Sequence, residues 1–292
     1  MDYYTFSKYG LQVRELDIRH TVESAQPLTF YADYDLGKGL LSYVGGNGQV
    51  NANFTGTSKN CAVRFDSRGL SAARKDFVER FRLKDDMADI YENIATDDFM
   101  RSAIKNYRGM RITLNDPWET TLCFIVSQYN NVKRIRLIIK RFVKEFGSDV
   151  VDSNGKVVGK SFPTSERLTE FSEADFRRCG AGFRAKYIAK AAECCTNNID
   201  LYKLRKNDYD GLKENLMTIS GVGDKVADCI ALMGYGKMEA FPIDVWVKRT
   251  LEKVYFKGKD KKIGYLHKFA EDRFGAYSGQ AQQYIFWQGR NL

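Results

Sequence analysis

Two side chains capable of chemistry, an amine and a carboxylate, lie close together along the chain. Lys225 falls in the first turn of a predicted helix, where the helix dipole disfavours a cation. We therefore expect a lowered pKa and a nucleophilic amine, although a solvated lysine that clamps a phosphate would suit the same position. Asp244 follows Pro242 and precedes a helical pattern, so it is a natural N-cap. A carboxylate fixed by backbone amides stays ionised and can stabilise positive charge that develops in a reaction.

A glycine-rich turn precedes this lysine. The segment Leu216 to Cys229 reads LMTISGVGDKVADC and predicts a helix, a tight turn and a second helix. Gly221 and Gly223 permit positive φ and close approach of another backbone, and Val222 between them can fill the core. The unpaired amides that start the second helix can bind a phosphate without reading sequence. A GxG turn alone is equally compatible with an ordinary helical hairpin, but the whole string favours phosphate binding.

The composition is that of a globular protein with a basic surface. The 292 residues are 43% hydrophobic and carry a formal net charge of +9. A basic balance suits a polyanionic partner, because each phosphate contacted releases condensed counterions. No apolar run is long enough to cross a bilayer and the start lacks a secretory apolar segment, so we expect no membrane partner. The expected location is the cytoplasm or nucleoid, or the nucleus if the source is eukaryotic.

The metal-ligating residue types do not form a recognised pattern. The six cysteines include no CxxC pair, and His20 and His267 lie far apart. We therefore predict reduced thiols, no metal site, no cofactor and no bound nucleotide cofactor.

The order of elements predicts an α+β protein. Residues 1–110 are predicted to form a domain with an antiparallel sheet and helices, and residues 111–292 an all-helical domain. In the first domain, Leu40 to Val44 and Val50 to Phe54 predict a hairpin around Gly45 to Gly48, with Cys61 to Phe65 as a third strand. Helices are predicted from Ser71 to Tyr107, at the start signal Asp116-Pro117-Trp118-Glu119, from Val132 to Glu145, and over 172–178, 183–197, 209–218, 224–234, 245–255, 263–274 and 276–288. Residues 147–163 predict an exposed loop.

Taken together, the hairpin string resembles the helix–hairpin–helix motif of the DNA glycosylase superfamily. Lys225 followed by Asp244 resembles the bifunctional 8-oxoguanine DNA glycosylase family in particular. That resemblance implies attack of the lysine on the deoxyribose C1′, loss of the base, a Schiff base, and β-elimination that nicks the strand. The carboxylate would support the first step. The expected partner is damaged double-stranded DNA, and the expected state is a monomer.

The resemblance also implies a base pocket. Residues 277–286, YSGQAQQYIF, are similar to the family pattern YAGxAQxxxF. Gln282 would hydrogen-bond the Watson–Crick edge of the extruded base and Phe286 would stack on it, although spacing alone favours Phe286 in the core of an amphipathic helix. Cys229 would close the opposite side, or serve as a small buried residue. Ala25 stands where the family has a glycine whose carbonyl distinguishes 8-oxoguanine from guanine.

Contacts to the DNA are implied in two further segments. In the first, Asn130 and Asn131 match strand-insertion residues, and Arg134 matches an arginine that reads the orphaned cytosine. Tyr129 stands where eukaryotic members have asparagine, and its ring could fill the vacated base-pair space by stacking.

In the second segment, residues 179–187 are similar to the family pattern LGxGYRAxY. Phe183 would be a wedge beside the flipped nucleotide, or equally a core aromatic residue, and Arg184 would contact the DNA backbone. Trp246 replaces a histidine found in eukaryotic members.

Two other functions remain compatible with the sequence. One is a glycosylase of the same fold that acts on another damaged purine, such as an alkylated adenine, although such relatives lack the lysine. The other is a non-catalytic DNA-binding protein that uses the hairpin only as a phosphate clamp. The presence of Lys225, Asp244, Gln282 and Phe286 together disfavours the clamp, because a clamp needs no base pocket.

Overall fold

The N-terminal part of the chain forms an antiparallel sheet. The computed structural model describes residues 3–8, 10–45, 48–65, 70–151 and 155–290. Its first six strands are β1 (Tyr4–Ser7), β2 (Gly10–Val13), β3 (Asp33–Asp35), β4 (Leu40–Gly45), β5 (Gly48–Thr57) and β6 (Asn60–Phe65). They pair in the order β1-β2-β6-β5-β4-β3. This confirms the predicted α+β class.

The predicted hairpin and third strand are confirmed, and alternating burial explains why they form. Leu41 and Tyr43 of β4 are buried, and so are Val50, Ala52 and Phe54 of β5. Residues two apart share one face of a strand, so this alternation turns one face of the sheet into a core. Residues 46 and 47, in the predicted turn, lie outside the described residues. The strands β1, β2 and β3 were not predicted from the sequence.

Helices account for most of the remaining chain. Residues up to 110 contain α1 (Ile18–Glu23), α2 (Pro27–Tyr31), α3 (Leu70–Arg80), α4 (Met87–Ile94) and α5 (Asp98–Asn106). The rest are α6 (Pro117–Ser127), α7 (Val132–Phe146), α8 (Ser165–Thr169), α9 (Glu173–Arg178), α10 (Ala185–Asn197), α11 (Tyr209–Met217), α12 (Asp224–Tyr235), α13 (Val245–Tyr255), α14 (Ile263–Phe274) and α15 (Ser278–Gly289). The helices predicted after residue 111 are thus confirmed to within a few residues.

Local capping determines where several of these helices begin. Asp116 accepts hydrogen bonds from the amides of Trp118 and Glu119, and Pro117 occupies the first helical position of α6. Asn131 caps α7 through the Arg134 amide. Such side-chain acceptors satisfy amides that have no partner within the helix.

The predicted loop at residues 147–163 is wrong in one respect. It contains a second, two-stranded sheet of β7 (Asp149–Val151) and β8 (Val157–Lys160). The glycine, serine and asparagine content indicated a loop, but pairs of valines on either side of the turn are sufficient to form a short hairpin. These valines are mostly exposed, so the prediction of a surface segment holds.

Buried side chains form three hydrophobic clusters. One lies between the sheet and α3, and a second lies among α6, α7, α10 and α12. The third joins α4 and α5 to α13, α14 and α15. The division of the chain at residue 110 stays a prediction, and this third cluster ties helices from both sides of it together. The C-terminal helix is thereby fixed against the N-terminal part of the chain.

Two further sequence predictions concern the chain as a whole. All six cysteines are free thiols, as predicted. Within the described part of the chain, every helix is too short or too polar to cross a membrane.

Candidate active site

A cavity of about 280 Å³ brings together residues from distant parts of the sequence. This volume is near the lower end of the range of ligand clefts, roughly 300–1,000 Å³, and suits a small planar group. Its wall comprises the turn before α2, the junction of α6 and α7, α12, the start of α13, and α15. The predicted site residues that line it are Ala25, Asn130, Asn131, Lys225, Cys229, Asp244, Trp246, Gln282 and Phe286.

Lys225 extends from the first turn of α12 into this cavity. Its ammonium nitrogen lies 5.2 Å from the centroid of the Phe124 ring, a distance typical of a cation–π contact. Burial has the largest influence on the pKa of Lys225 and lowers it, but the Cys229 sulfur and the Asp244 and Asp228 carboxylates together raise the pKa above its usual value. The predicted lowering is therefore wrong, because it considered the helix dipole and not the neighbours brought by folding.

Cys229 lies one helical turn after the lysine, and its sulfur accepts a hydrogen bond from the Lys225 ammonium. Burial raises the pKa of the Cys229 thiol to about 11, although the nearby Lys225 ammonium opposes the shift. The sulfur is therefore a thiol near neutral pH. The neutral sulfur thus leaves the positive charge of Lys225 on this wall uncompensated by a thiolate.

Asp244 has the N-cap role predicted for it. Its Oδ1 accepts a hydrogen bond of 2.8 Å from the Val247 amide at the start of α13. Pro242 lines the cavity just before it. A carboxylate held at a helix start faces the positive end of the helix dipole, so this negative charge is fixed in position beside the cavity.

The glycines of the hairpin differ from one another. Gly221 has φ +85°, and a Cβ added there would lie 2.7 Å from the Tyr187 Cβ, so only glycine fits. Gly223 has φ −97°, so it does not use the positive φ that glycine permits, and nothing lies within 4 Å of its Cβ position. Val222 between them is buried, as expected. Since Gly223 is the N-cap of α12 and has no side chain to cap it, the first amides of the helix remain available to an anion.

The C-terminal helix α15 presents a buried amide to the cavity. Gln282 is only 6% exposed, and its Oε1 is a buried atom with no hydrogen-bond partner. A buried polar atom without a partner is costly unless a ligand satisfies it. Phe286 lies one turn further on and is half-buried at the cavity wall. Phe286 therefore packs against the edge of the third hydrophobic cluster and is not fully buried in it.

The Ala25 backbone is in an unusual conformation. Its φ is +61°, a value that residues other than glycine rarely adopt. The residues on either side, Ser24 and Gln26, are buried. A glycine would adopt this conformation without the steric cost of a Cβ.

Aromatic side chains predicted to contact DNA are exposed near the mouth of the cavity. Tyr129 is 95% exposed and has φ +47°, and Phe183 is 49% exposed. Their ring centroids are 6.4 Å apart. Trp246 is also exposed and lines the cavity as well. The alternative of Phe183 as a core residue is thus excluded.

Two of the three polar residues predicted to contact DNA near Tyr129 also have structural roles that the sequence did not reveal. Asn130 donates a hydrogen bond to the Val126 carbonyl, and Asn131 is the N-cap of α7. Arg134 is exposed on the first turn of that helix. The two asparagines therefore fix the local backbone in addition to lining the cavity.

Arg184 differs from its predicted position on the surface. It is only 4% exposed, and its guanidinium donates hydrogen bonds to the carbonyls of Gln128 and Tyr129. Arg184 therefore supports the segment that carries Tyr129 from within the protein.

The structure places together one set of possible metal-ligating atoms that sequence spacing did not reveal. Asp224, Asp228 and His267 offer ligand atoms within 4.8 Å of one another. The Lys213 ammonium lies 2.8 Å from both carboxylates. This ammonium already supplies a positive charge to the two acids, so the geometry alone gives no reason to place a metal there.

Other cavity residues were missed by the sequence analysis. They are Ser24, Phe30, Phe124, Ser127, Val132, Ile135, Met233, Pro242, Gln283 and Arg290. Most are apolar residues whose pattern indicates only burial. Gln283, which directly follows Gln282, offered the one available signal, since paired amides are unusual on a buried helix.

The sequence of this chain is similar to those of known proteins, and the similarity agrees with the geometry of the cavity. Residues 122–273, just over half of the chain, match the family described as HhH-GPD superfamily base excision DNA repair protein. The chain belongs to this family.

Two curated relatives are similar beyond this region. An N-glycosylase/DNA lyase of Saccharomyces cerevisiae is 35% identical over 65% of this chain and 54% of its own length. A probable N-glycosylase/DNA lyase of Methanothermobacter thermautotrophicus is 31% identical over 72% of each. The chain thus spans about half the length of the yeast relative.

A solved structure is similar over the whole chain. It is the Clostridium acetobutylicum 8-oxoguanine glycosylase/lyase in complex with double-stranded DNA containing cytosine opposite 8-oxoguanine. The two share 27% identity with a TM-score of 0.86, over 100% of this chain and 99% of that one.

Proposed function

We propose that this protein excises 8-oxoguanine from duplex DNA with Lys225 as the nucleophile, and then nicks the strand at the resulting site. The observation that carries the proposal is the convergence of Lys225, Asp244 and the unpartnered Gln282 amide on one cavity. A lysine that only clamped a phosphate would need no such cavity. The similar Clostridium protein is described as an 8-oxoguanine glycosylase/lyase, which supports the same substrate.

Binding begins with the DNA backbone. The open amides at Gly223 and the start of α12 would hold a phosphate near the damaged nucleotide. Tyr129 and Phe183 would enter the duplex and occupy the space left by the flipped base, since exposed rings can stack on bases at little cost in stability. Arg184 would hold the backbone of the Tyr129 segment in place during this step.

The extruded base would then enter the cavity. Its Watson–Crick edge would meet the Gln282 amide, whose buried Oε1 accepts a hydrogen bond from it. The Phe286 ring would stack on one face, and Cys229 would lie against the other. A neutral thiol suits this position, because a thiolate would repel the π electrons of the base.

The first chemical step replaces the glycosidic bond by a bond to the enzyme. Because its pKa is raised, Lys225 starts as an ammonium ion and must lose a proton before its lone pair can attack C1′. The base leaves as an anion and must gain one. We infer that the proton passes from Nζ to the departing base as the Nζ–C1′ bond forms and the bond from C1′ to the base breaks. Asp244 stabilises the positive charge that develops on the sugar.

The second step nicks the strand. The sugar ring opens to give a Schiff base between Nζ and C1′, which makes the C2′ protons acidic. When one such proton is lost to solvent, the electron pair of the C2′–H bond forms a C2′=C3′ double bond, and the phosphate leaves C3′ with the electron pair of the C3′–O bond. Water then releases the lysine by hydrolysis of the Schiff base.

The proposed partner is damaged genomic DNA, bound by a single copy of the protein inside the cell.

Borohydride trapping tests this function. Reduction of the Schiff base links enzyme and DNA covalently, so the native protein should form an adduct with a duplex that carries 8-oxoguanine opposite cytosine. Lys225→Gln should form none while still binding the duplex. An adduct with another damaged base, such as an alkylated adenine, and none with 8-oxoguanine would keep the mechanism but show that the substrate is the other base. No adduct with any lesion, despite tight binding, would overturn the proposal and favour either a phosphate clamp or a glycosylase that uses no lysine nucleophile.

A further inference from the structure

Ala25 requires an external restraint to keep its conformation. A residue with a Cβ strongly prefers negative φ, whereas Ala25 has φ +61° at the cavity wall. No described residue donates a hydrogen bond to its carbonyl, so this oxygen is open to a donor on a ligand. The direction of the carbonyl depends on how the two flanking residues are held.

The residue after Ala25 is anchored to the strand-like segment before α6. The Gln26 side chain donates to the Arg111 carbonyl at 2.8 Å and accepts from the Thr113 amide at 2.7 Å. It is fully buried. These two hydrogen bonds fix one side of Ala25 to a rigid part of the molecule.

The residue before Ala25 is anchored to the C-terminal helix. The Gln283 amide nitrogen donates to the Ser24 carbonyl at 2.8 Å, and Gln283 is only 2% exposed. Rotation of Ala25 to negative φ would require the peptide that contains this carbonyl to turn, and the bond would be lost. Gln283 therefore restrains Ala25 from the same turn of α15 that presents Gln282 to the cavity.

We propose that Gln283 is a positioning residue for base recognition, which keeps the Ala25 carbonyl directed at the oxidised purine. This inference rests on the proposed function. 8-Oxoguanine carries a hydrogen on N7 that guanine lacks, so a fixed acceptor at this wall distinguishes the two. One helix turn then performs two tasks: Gln282 contacts the base, and Gln283 holds the opposite acceptor in place.

The chain offers a closely matched control. Gln280 is also on α15, is also 2% exposed, and its amide donates to the Met110 carbonyl at 2.9 Å. It does not line the cavity. Gln280→Ala therefore removes the same kind of buried hydrogen bond from the same helix without touching the Ala25 turn.

The test compares two rates for each variant under single-turnover conditions. One is release of 8-oxoguanine, and the other is nicking at a preformed abasic site, where no base has to be recognised. We expect Gln283→Ala to lower the ratio of release to nicking by about five- to tenfold, as for loss of one hydrogen bond. Gln280→Ala should change this ratio by less than about twofold. If Gln283→Ala does not fold, Gln283→Met keeps the length of the side chain without its donor.

A rescue experiment separates positioning from general damage. Glycine adopts positive φ without steric cost, so Ala25→Gly should restore most of the ratio lost in Gln283→Ala. Equal effects of Gln280→Ala and Gln283→Ala, or no restoration by Ala25→Gly, would overturn the proposal. If the native enzyme is active and Gln283→Ala leaves the ratio of release to nicking unchanged, only this inference is overturned. If the native protein forms no trapped adduct, the proposed function itself is overturned.

Discussion

The cavity wall and the exposed rim around its mouth hold their side chains in different ways. We define the rim as the exposed side chains of Tyr129, Phe183 and Trp246. Wall residues such as Cys229 and Gln282 are almost fully buried and are fixed on helices, whereas Tyr129 is 95% exposed. Under the proposed function, the groups that bind the base are thus held by packing before DNA arrives, whereas the rings of the rim present large exposed surfaces that DNA would cover. Substitutions in the two regions should therefore fail in different ways.

The largest effect after loss of the lysine is expected at Asp244. Asp244→Asn keeps an oxygen that can cap α13 and removes the charge, so base release should fall by about 10²- to 10³-fold with little change in DNA affinity. Single-turnover kinetics and a binding assay measure the two quantities. Thermal unfolding provides the control, since a similar melting temperature shows that the cap survives. Retention of release within about tenfold would contradict an electrostatic role.

The next largest effects on base release are expected at two aromatic residues, Phe286 from the wall and Tyr129 from the rim. Phe286→Ala should slow base release by about 10- to 100-fold, the cost of one lost base–aromatic stack. Tyr129→Ala should slow base release by about tenfold, because no ring then occupies the space that the flipped base leaves in the duplex. Placing the lesion in an unpaired bubble distinguishes them. The Tyr129→Ala defect should largely disappear there and the Phe286→Ala defect should remain; if both persist equally, the two regions do not differ as described.

The two hairpin glycines provide a matched pair for stability. Gly221→Ala adds a Cβ 2.7 Å from the Tyr187 Cβ at positive φ, so the free energy of unfolding should fall by about 1–3 kcal/mol. Gly223→Ala meets open space, so its unfolding free energy should stay within about 0.5 kcal/mol of the native value. Denaturant titration measures both. Gly223→Ala should nevertheless weaken DNA binding, and normal affinity would show that no phosphate approaches there.

The smallest effect concerns pH. Because the pKa of Lys225 is raised above its usual value, the ammonium form dominates over the neutral range and carries the proton that the departing base needs. The rate of base release should therefore vary less than about threefold between about pH 6 and 9. A rise of about tenfold per pH unit would show instead that the lysine must first lose its proton to solvent.

Features that depend on neighbours in the sequence were predictable. The N-caps at Asp116 and Asp244 and the need for glycine at position 221 follow from patterns a few residues long. The short hairpin of β7 and β8 was missed because its composition is that of a loop, and β1 to β3 are short strands without a clear alternation. Their formation depends on pairing with strands that are distant in the sequence.

Features that depend on tertiary contacts could not be predicted. The raised pKa of Lys225 depends on Cys229, Asp244 and Asp228, and the distances of the two carboxylates from the lysine cannot be read from the sequence. Whether Arg184 points outward or inward depends on its backbone and on the Tyr129 segment. The hydrogen bond from Gln283 to Ser24 joins residues 259 positions apart. The residues of the site could thus be named from the sequence. The contacts that hold them in place depend on the fold and could not be predicted.

The most direct test of the account is the crystal structure of Lys225→Gln bound to a duplex with 8-oxoguanine opposite cytosine. The account predicts that the damaged base lies in the cavity between Phe286 and Cys229, with its Watson–Crick edge on Gln282 and its C1′ facing position 225. Tyr129 should occupy the space that the base has left. A base that remains stacked in the duplex, or that lies outside the cavity while the hairpin holds the phosphate, would contradict it.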